Sequence, residues 1–445
     1  MIIARLRKHD LMGNLWPYLR MIGRAHEPAA AALVERLSGD GVALDDEGAA
    51  ADLALTDTLA GASFVEFHAG RDDGKMVLTP SAPNFTLRPG RCDDGTRWQL
   101  SRFTYMHVEG GNFIVRHPTS DCFLTVNDPD AQRLALGFRA PGFLPRPQAG
   151  GWIGKHAGDT CWMLARGGAI VPVEADGRPL EGKDAKLRQW DFHDLLFHAS
   201  SRLGRTEKPI GGTFSFKGDI APTPALKRNV WIERMLPLPR PDIAALSRFD
   251  MPLTAAIETR RSIRQHSIVP PSIAQLGEFL YRTVRTRSLT ASPMGEFVSR
   301  PHANGGACYE QEYYITIDAC LDFPRGFYYY DSVHHGLCLI SGPDAEMEAL
   351  LDEASVATAR QGRPQILVTI ASRFHRVGWK YRGMGYATQL KNIGAIYQTM
   401  YLVATAMNLA GCGLGIGNTD RFCRMTGLDY LEEGSIGEFM LGRPL

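Results

Sequence analysis

From Ile393 to Thr419 the chain carries no charged residue, and this stretch restricts the possible folds more than any other. About 20 apolar residues are enough to cross a bilayer, so length alone permits a membrane span. Yet the stretch contains Gln398, Thr399, Thr405 and Asn408, and it ends in the glycine-rich Gly411-Cys-Gly-Leu-Gly-Ile-Gly417. Ile393, Ile396, Met400, Val403 and Met407 recur at helical spacing. The pattern predicts a wholly buried helix over Met384 to Asn408 running into a strand, as a large core or a tight dimer requires. No membrane span follows from it. Charged residues begin at Arg5 with no apolar run behind them, so no secretory signal is expected and a cytoplasmic location is.

The 445 residues predict two or three domains. A net charge of +1 gives no domain-wide basic excess, which argues against nucleic acid as a partner. The eight cysteines form no C-x-x-C pair and have no histidine at ligand spacing. Buried reduced thiols are expected, and no metal.

Residues 1–95 alternate helical patterns (Ala29 to Leu37, Ala49 to Leu59) with a β-pair, Ser63 to His68 and Met76 to Thr79, joined by Gly70-Arg-Asp-Asp-Gly74. That order is compatible with a winged-helix-like module. Residues 96–242 are rich in strands: Phe103 to Val108 and Asn112 to Arg116 flank the hairpin signal Glu109-Gly-Gly111. Cys122 to Val126 extends the same sheet, Trp190 to Ser201 reads as a helix, and the Pro-rich stretch from Ala221 to Asp242 reads as a linker or extended arm. In residues 243–445, Pro270-Pro-Ser272 starts a helix after Thr254 to Glu258, and strands are expected at 312–317, 326–330, 365–370 and 435–441. Strands mixed with helices, without a strict βαβ alternation, predict an α+β domain.

Four motifs in this last region carry chemistry. Arg260, Arg261 and Arg264 surround the hydroxyl of Ser262. Three guanidiniums in five residues repel one another unless they share an anion, and their forks match phosphate oxygens. Asn304-Gly305-Gly306 can bring backbone close to a ligand. Lys380-Tyr381 offers two titratable groups able to act as a base. Arg443 lies near the chain end, where a terminal strand would fix it. No Walker A, Rossmann glycine motif or Ser-His-Asp signature is present.

In this order the motifs resemble the nitroreductase-like flavoproteins, and specifically the SagB-type peptide dehydrogenases, the azoline oxidases of thiazole- and oxazole-containing peptide pathways. The resemblance covers Thr254 to Pro444 and extends upstream to Leu100-Ser-Arg-Phe-Thr-Tyr and Phe192 to Arg205. It implies an α+β FMN domain with an antiparallel-rich sheet flanked by helices, preceded by the winged-helix-like and β-rich modules. Arg260, Arg261, Ser262 and Arg264 would contact the FMN phosphate, ribityl and pyrimidine edge, and Arg443 the phosphate. Asn304, Gly305 and Gly306 would lie along the isoalloxazine, and the backbone of Gly413, Leu414 and Gly415 would face it. Lys380 and Tyr381 would supply the base. Homodimers with FMN sites across the interface are implied, with an azoline-containing precursor peptide as substrate and cyclodehydratase subunits as possible partners.

The sequence departs from the family where Cys308 replaces a leucine, Glu310 a proline, and Asn392-Ile-Gly-Ala395 an Asp-Ala-Gly-His pattern. Two other readings share parts of these motifs: an NAD(P)H-fed nitroreductase or quinone reductase, and a non-catalytic peptide-binding scaffold of a cyclodehydratase.

Overall fold

The computed structural model describes residues 2–7, 12–44, 50–70, 75–83, 85–87, 92, 95–144, 152–206, 209–292 and 295–445. They form two compact units, residues 1–210 and 211–445. Most of the turn expected at Gly70 to Gly74 lies outside the described residues.

In the first unit a seven-stranded antiparallel sheet runs in the order Val42–Ala43, Ile2–Leu6, Val65–Ala69, Met76–Pro80, Cys122–Val126, Asn112–Arg116, Tyr105–Glu109. The expected helices form at Pro28–Ser38 and Ala50–Gly61. Gly110 and Gly111 both take positive φ, the backbone a two-residue hairpin needs. Met76–Pro80 pairs directly with Cys122–Val126, so a division near residue 95 falls inside one sheet. Leu33 and Leu37 pack with Phe67, Leu78 and Leu124 in its core.

The second unit is built on another seven-stranded antiparallel sheet. Its order is Met235–Pro237, Gly336–Ser341, Gly326–Asp331, Gln311–Ile317, Ile366–Arg373, Glu433–Gly442, Ala410–Leu414. Every residue of Gln311–Ile317 is buried, because helices cover both faces. On one face Tyr313, Ile315 and Ile317 meet Leu276, Phe279 and Leu280 of the helix Ile273–Val284, and Ile396 and Met400 of the long helix Gly385–Ala406. Tyr314, one residue out of phase, points the other way onto Phe422 of Thr419–Thr426. Ser272 starts its helix through a capping box with Gln275.

Two expectations are corrected here. The long helix is not wholly buried within one chain: Ile393, Ile396 and Met400 are buried, but Tyr386, Leu390, Gly394 and Gln398 are exposed, four residues apart along one stripe. The sheet covers only one side of it. The Pro-rich stretch, in turn, is not a free linker, and it lies within the second unit. Prolines lack N–H donors but keep their carbonyls. Arg373 donates to the carbonyls of Pro224 and Ala225, both at 2.8 Å, and Arg376 to that of Thr223 at 2.8 Å. Lys227 forms a 2.6 Å ion pair with Glu433, and Met235–Pro237 is a strand of the sheet. The expected boundary at 242 therefore differs from the observed division at 210.

Candidate functional site

The sequence-predicted residues gather in two clusters, both served by the long helix Gly385–Ala406. The first is built on the extended run that follows the helix Leu253–Thr259. Ile263 N–H donates to the Gly411 carbonyl at 3.1 Å, which fixes this run beside the edge strand Ala410–Leu414. Tyr401 from the long helix ties the two together: its hydroxyl lies 2.8 Å from Ser262 Oγ and accepts the Gly413 N–H at 2.8 Å. The Arg260 guanidinium stands 5.0 Å over the Tyr401 ring. At the end of the run Ser267 N–H donates to the Arg443 carbonyl at 2.9 Å, and Gln365 Oε1 accepts the Arg443 N–H at 3.0 Å. The C-terminal arginine is thus anchored to the segment that carries Arg260, Arg261 and Arg264.

Among the described residues none of these four guanidiniums has a carboxylate partner. Four unneutralised cations held by one short framework make this a candidate anion site. Neighbouring His266 is half-buried, and this desolvation lowers its pKa to about 4 and keeps it neutral, so it adds no further charge. Gly413 is closely packed, since a Cβ would lie 3.1 Å from the Tyr397 ring and the ring would have to give. Leu414 is buried, with its carbonyl accepting from Tyr397 Oη at 3.2 Å, and Gly415 is exposed.

The second cluster surrounds Asn304, Gly305 and Gly306. Gly305 N–H donates to Asn392 Oδ1 at 2.8 Å, and Asn304 Oδ1 accepts the Tyr309 N–H at 2.9 Å. The fully buried Glu310 carboxylate accepts from Asn304 Nδ2 at 3.0 Å and from Asn392 Nδ2 at 2.8 Å. Two departures from the family pattern, Glu310 and Asn392, are therefore bonded to each other. Gly306 has φ +65°, and a Cβ there would lie 2.1 Å from Tyr381 Oη and 3.0 Å from Lys380 Nζ. Lys380 Nζ donates to the Gly306 carbonyl at 3.0 Å. The glycine loop and the Lys-Tyr pair, far apart in sequence, meet at this one residue.

Sequence reading took Tyr397 and Tyr401 as part of a core helix. Their signal was two hydroxyls four residues apart in a charge-free run, which places both on one helix face. Phe214 and Trp379 border a cavity beside Lys380, and nothing local marked Phe214.

Comparisons with known proteins divide the chain in two. Residues 257–443 match the nitroreductase family, and residues 98–207 match the cyanobactin oxidase ThcOx family. The second match contains both upstream motifs, Leu100 to Tyr105 and Phe192 to Arg205. The nitroreductase-type protein MJ1384 of Methanocaldococcus jannaschii is 24% identical over 159 residues, covering 35% of this chain and 74% of its own length. A nitroreductase-type structure from Ralstonia eutropha JMP134 aligns over 54% of this chain and 99% of its own, at 21% identity and a TM-score of 0.39. A chain of the E. coli microcin synthetase McbBCD complex, solved with truncated pro-MccB17 bound, aligns over 52% of this chain and 91% of its own, at 18% identity and a TM-score of 0.35. Among the described residues no helix is long and apolar enough to cross a membrane. The chain is thus an α+β protein in which residues 98–207 are similar to the cyanobactin oxidase ThcOx family and residues 257–443 to the nitroreductase family.

Proposed function

We propose that this protein is an FMN-dependent azoline oxidase, converting thiazolines or oxazolines of a ribosomally made peptide to thiazoles or oxazoles. The observation that carries this reading is the convergence of Lys380 and Tyr381 on Gly306, in a chain that also carries the ThcOx segment. An ordinary nitroreductase has no use for either feature.

The first cluster fits the cofactor. Arg260, Arg261, Arg264 and Arg443 would hold the FMN phosphate, with Ser262 as an added donor, while Gly413 to Gly415 and Asn304 to Gly306 offer backbone rather than side chains to the ring. FMN bound there would accept the hydride equivalent from the azoline and return it to oxygen. The chain's own contribution is to bind the peptide and remove the ring proton. Lys380 Nζ or Tyr381 Oη takes that proton as the ring becomes aromatic, and their shared packing on Gly306 fixes their position relative to the glycine loop. A homodimer would cover the exposed stripe of the long helix, and light scattering of the full chain should give twice the chain mass. A cytoplasmic enzyme working with cyclodehydratase subunits completes the reading.

Lys380→Ala in FMN-loaded protein should keep the flavin absorbance and lose most of the two-hydrogen mass decrease on an azoline peptide. A variant with full turnover would remove Lys380 from the mechanism. Rapid bleaching of the flavin by NADPH, with no action on azolines, would instead favour the nitroreductase reading.

A further inference from the structure

The stretch from Gly211 to Ala225 lies between the two family matches, yet it is fastened to the Lys380 element residue by residue. Gly211–Gly212 pairs antiparallel with Tyr381–Arg382. Phe214 N–H donates to the Lys380 carbonyl at 3.2 Å, and Trp379 Nε1 donates to the Ile220 carbonyl at 2.7 Å. Arg376 and Arg373 then hold the carbonyls of Thr223, Pro224 and Ala225. Phe214 sits at φ +50°, a left-handed backbone that a bulky side chain adopts only when its surroundings enforce it. The strain places its ring 5.9 Å from Lys380 Nζ and edge-on to Trp379.

This strap encloses a cavity of about 350 Å³ that opens onto Lys380. Phe214, Pro222, Phe297 and Trp379 supply apolar walls, and Cys308 closes one side. Burial pushes the Cys308 thiol up to about 11, so it stays neutral. Three charged residues border the space, and each already has a protein hydrogen-bond partner. Arg376 donates to the carbonyls of Cys308, Thr223 and Glu296 at 3.0, 2.8 and 2.8 Å, and the Glu296 carboxylate accepts the Ala225 N–H at 3.4 Å. Lys380 donates to the uncharged Gly306 carbonyl. An acidic group in the cavity would pair with it and withdraw the base from the reaction.

We propose that the cavity is the subsite for the uncharged, apolar side chain next to the azoline ring, and that the strap Gly211–Ala225 is its specificity-determining wall. This rests on the azoline-oxidase reading. Filling a preformed apolar pocket discriminates between side chains by roughly tenfold or more.

The test uses FMN-loaded full-length protein and azoline peptides that differ only in the residue flanking the ring, Leu, Phe, Gln or Asp, on either side. Leu and Phe peptides should exceed the Asp peptide in kcat/KM by roughly tenfold or more. Phe214→Ala, which enlarges the pocket, and Pro222→Trp, which fills it from an exposed position, should each collapse that ratio. Equal kcat/KM for all flanking residues, or a ratio unchanged in both variants, overturns the proposal. If no azoline is oxidised, the functional reading fails separately. Fluorescence titration with the same peptides, with Trp379→Phe as control, then decides the subsite: preference for Leu and Phe supports it, and equal binding overturns it.

Discussion

Replacing Glu310 by Gln tests whether the loop that carries Asn304 to Gly306 is held by one buried carboxylate. Glu310 is fully buried, and its Oε2 accepts from Asn304 while Oε1 accepts from Asn392 and Gln311. In the Gln variant the least costly orientation turns the new amide nitrogen toward Asn304, so one charge-assisted bond is lost, worth about 1.5–3 kcal/mol. The other two fall from charge-assisted to neutral, losing about 0.5–1 kcal/mol each. Asn304 Nδ2 keeps Gln311 Oε1 at 3.0 Å, which limits the damage. The sum is about 3 kcal/mol, or a fall of roughly 6–12 °C in the melting transition of a unit this size. Calorimetry on the full chain reads it directly. Asn392→Asp alone sets two carboxylates against each other and should cost at least as much. Combined with Glu310→Gln it should recover stability, because the new Gln amide donates to the new carboxylate while Asp Oδ1 still accepts the Gly305 N–H. A coupling of about 1–2 kcal/mol is expected. A melting temperature of Glu310→Gln within about 1 °C of the parent, or strictly additive effects in the double variant, would refute the argument.

Gly306→Ala should cost about 1–2 kcal/mol from its left-handed backbone, and the new methyl must push Tyr381 aside. Turnover should therefore fall further than stability, which parallel rate and melting measurements compare. Burial holds the His302 pKa down at about 4, with Nδ1 on the Ala303 carbonyl at 3.2 Å and Nε2 on Tyr313 Oη at 2.9 Å. Its neutral form is favoured by folding, so this stabilisation is complete above the ordinary value of 6.5 and is lost as pH falls toward 4. The slope approaches about 1.4 kcal/mol per pH unit. Glu438 acts oppositely: burial raises its pKa to about 7, so its contribution holds below about 4.5 and is lost as pH rises through 7. Melting curves of the parent and His302→Gln between pH 7 and 5 separate the two, since the gap between the proteins should narrow as pH falls. A constant gap would exclude His302.

Local physics made much of this chain readable in advance. The helices and strands expected in residues 243–445 form within a few residues of their expected bounds, with Ser272 as a cap, whereas the strand Gly336–Ser341 and the helices Ala345–Ala357 and Thr419–Thr426 were not expected. The Arg260 cluster was legible as a candidate anion site because three like charges in five residues need a partner wherever they lie. The Leu100 and Phe192 motifs were legible as one segment only through resemblance, since neither carries a local chemical signature.

The remainder depended on contacts that no sequence window contains. Asn392 and Glu310 read separately as departures, and only a hydrogen bond spanning 82 residues makes them one device. The Pro-rich stretch read as a linker because prolines have no donors of their own, and the guanidiniums that bind its carbonyls lie 148 to 153 residues away. The charge-free helix is the reverse case. Its composition required it to be covered, but the sheet can bury only the face carrying Ile393, Ile396 and Met400. The sequence by itself determined many of the helical and extended segments and marked a candidate anion site, because those properties depend on neighbours along the chain. Only the tertiary structure decided that Lys380 and Tyr381 meet at Gly306, that Tyr401 joins Ser262 to Gly413, and that a strap borders the space beside Lys380. Each of those depends on long-range pairing in the sheet, whose register sets which distant side chains meet.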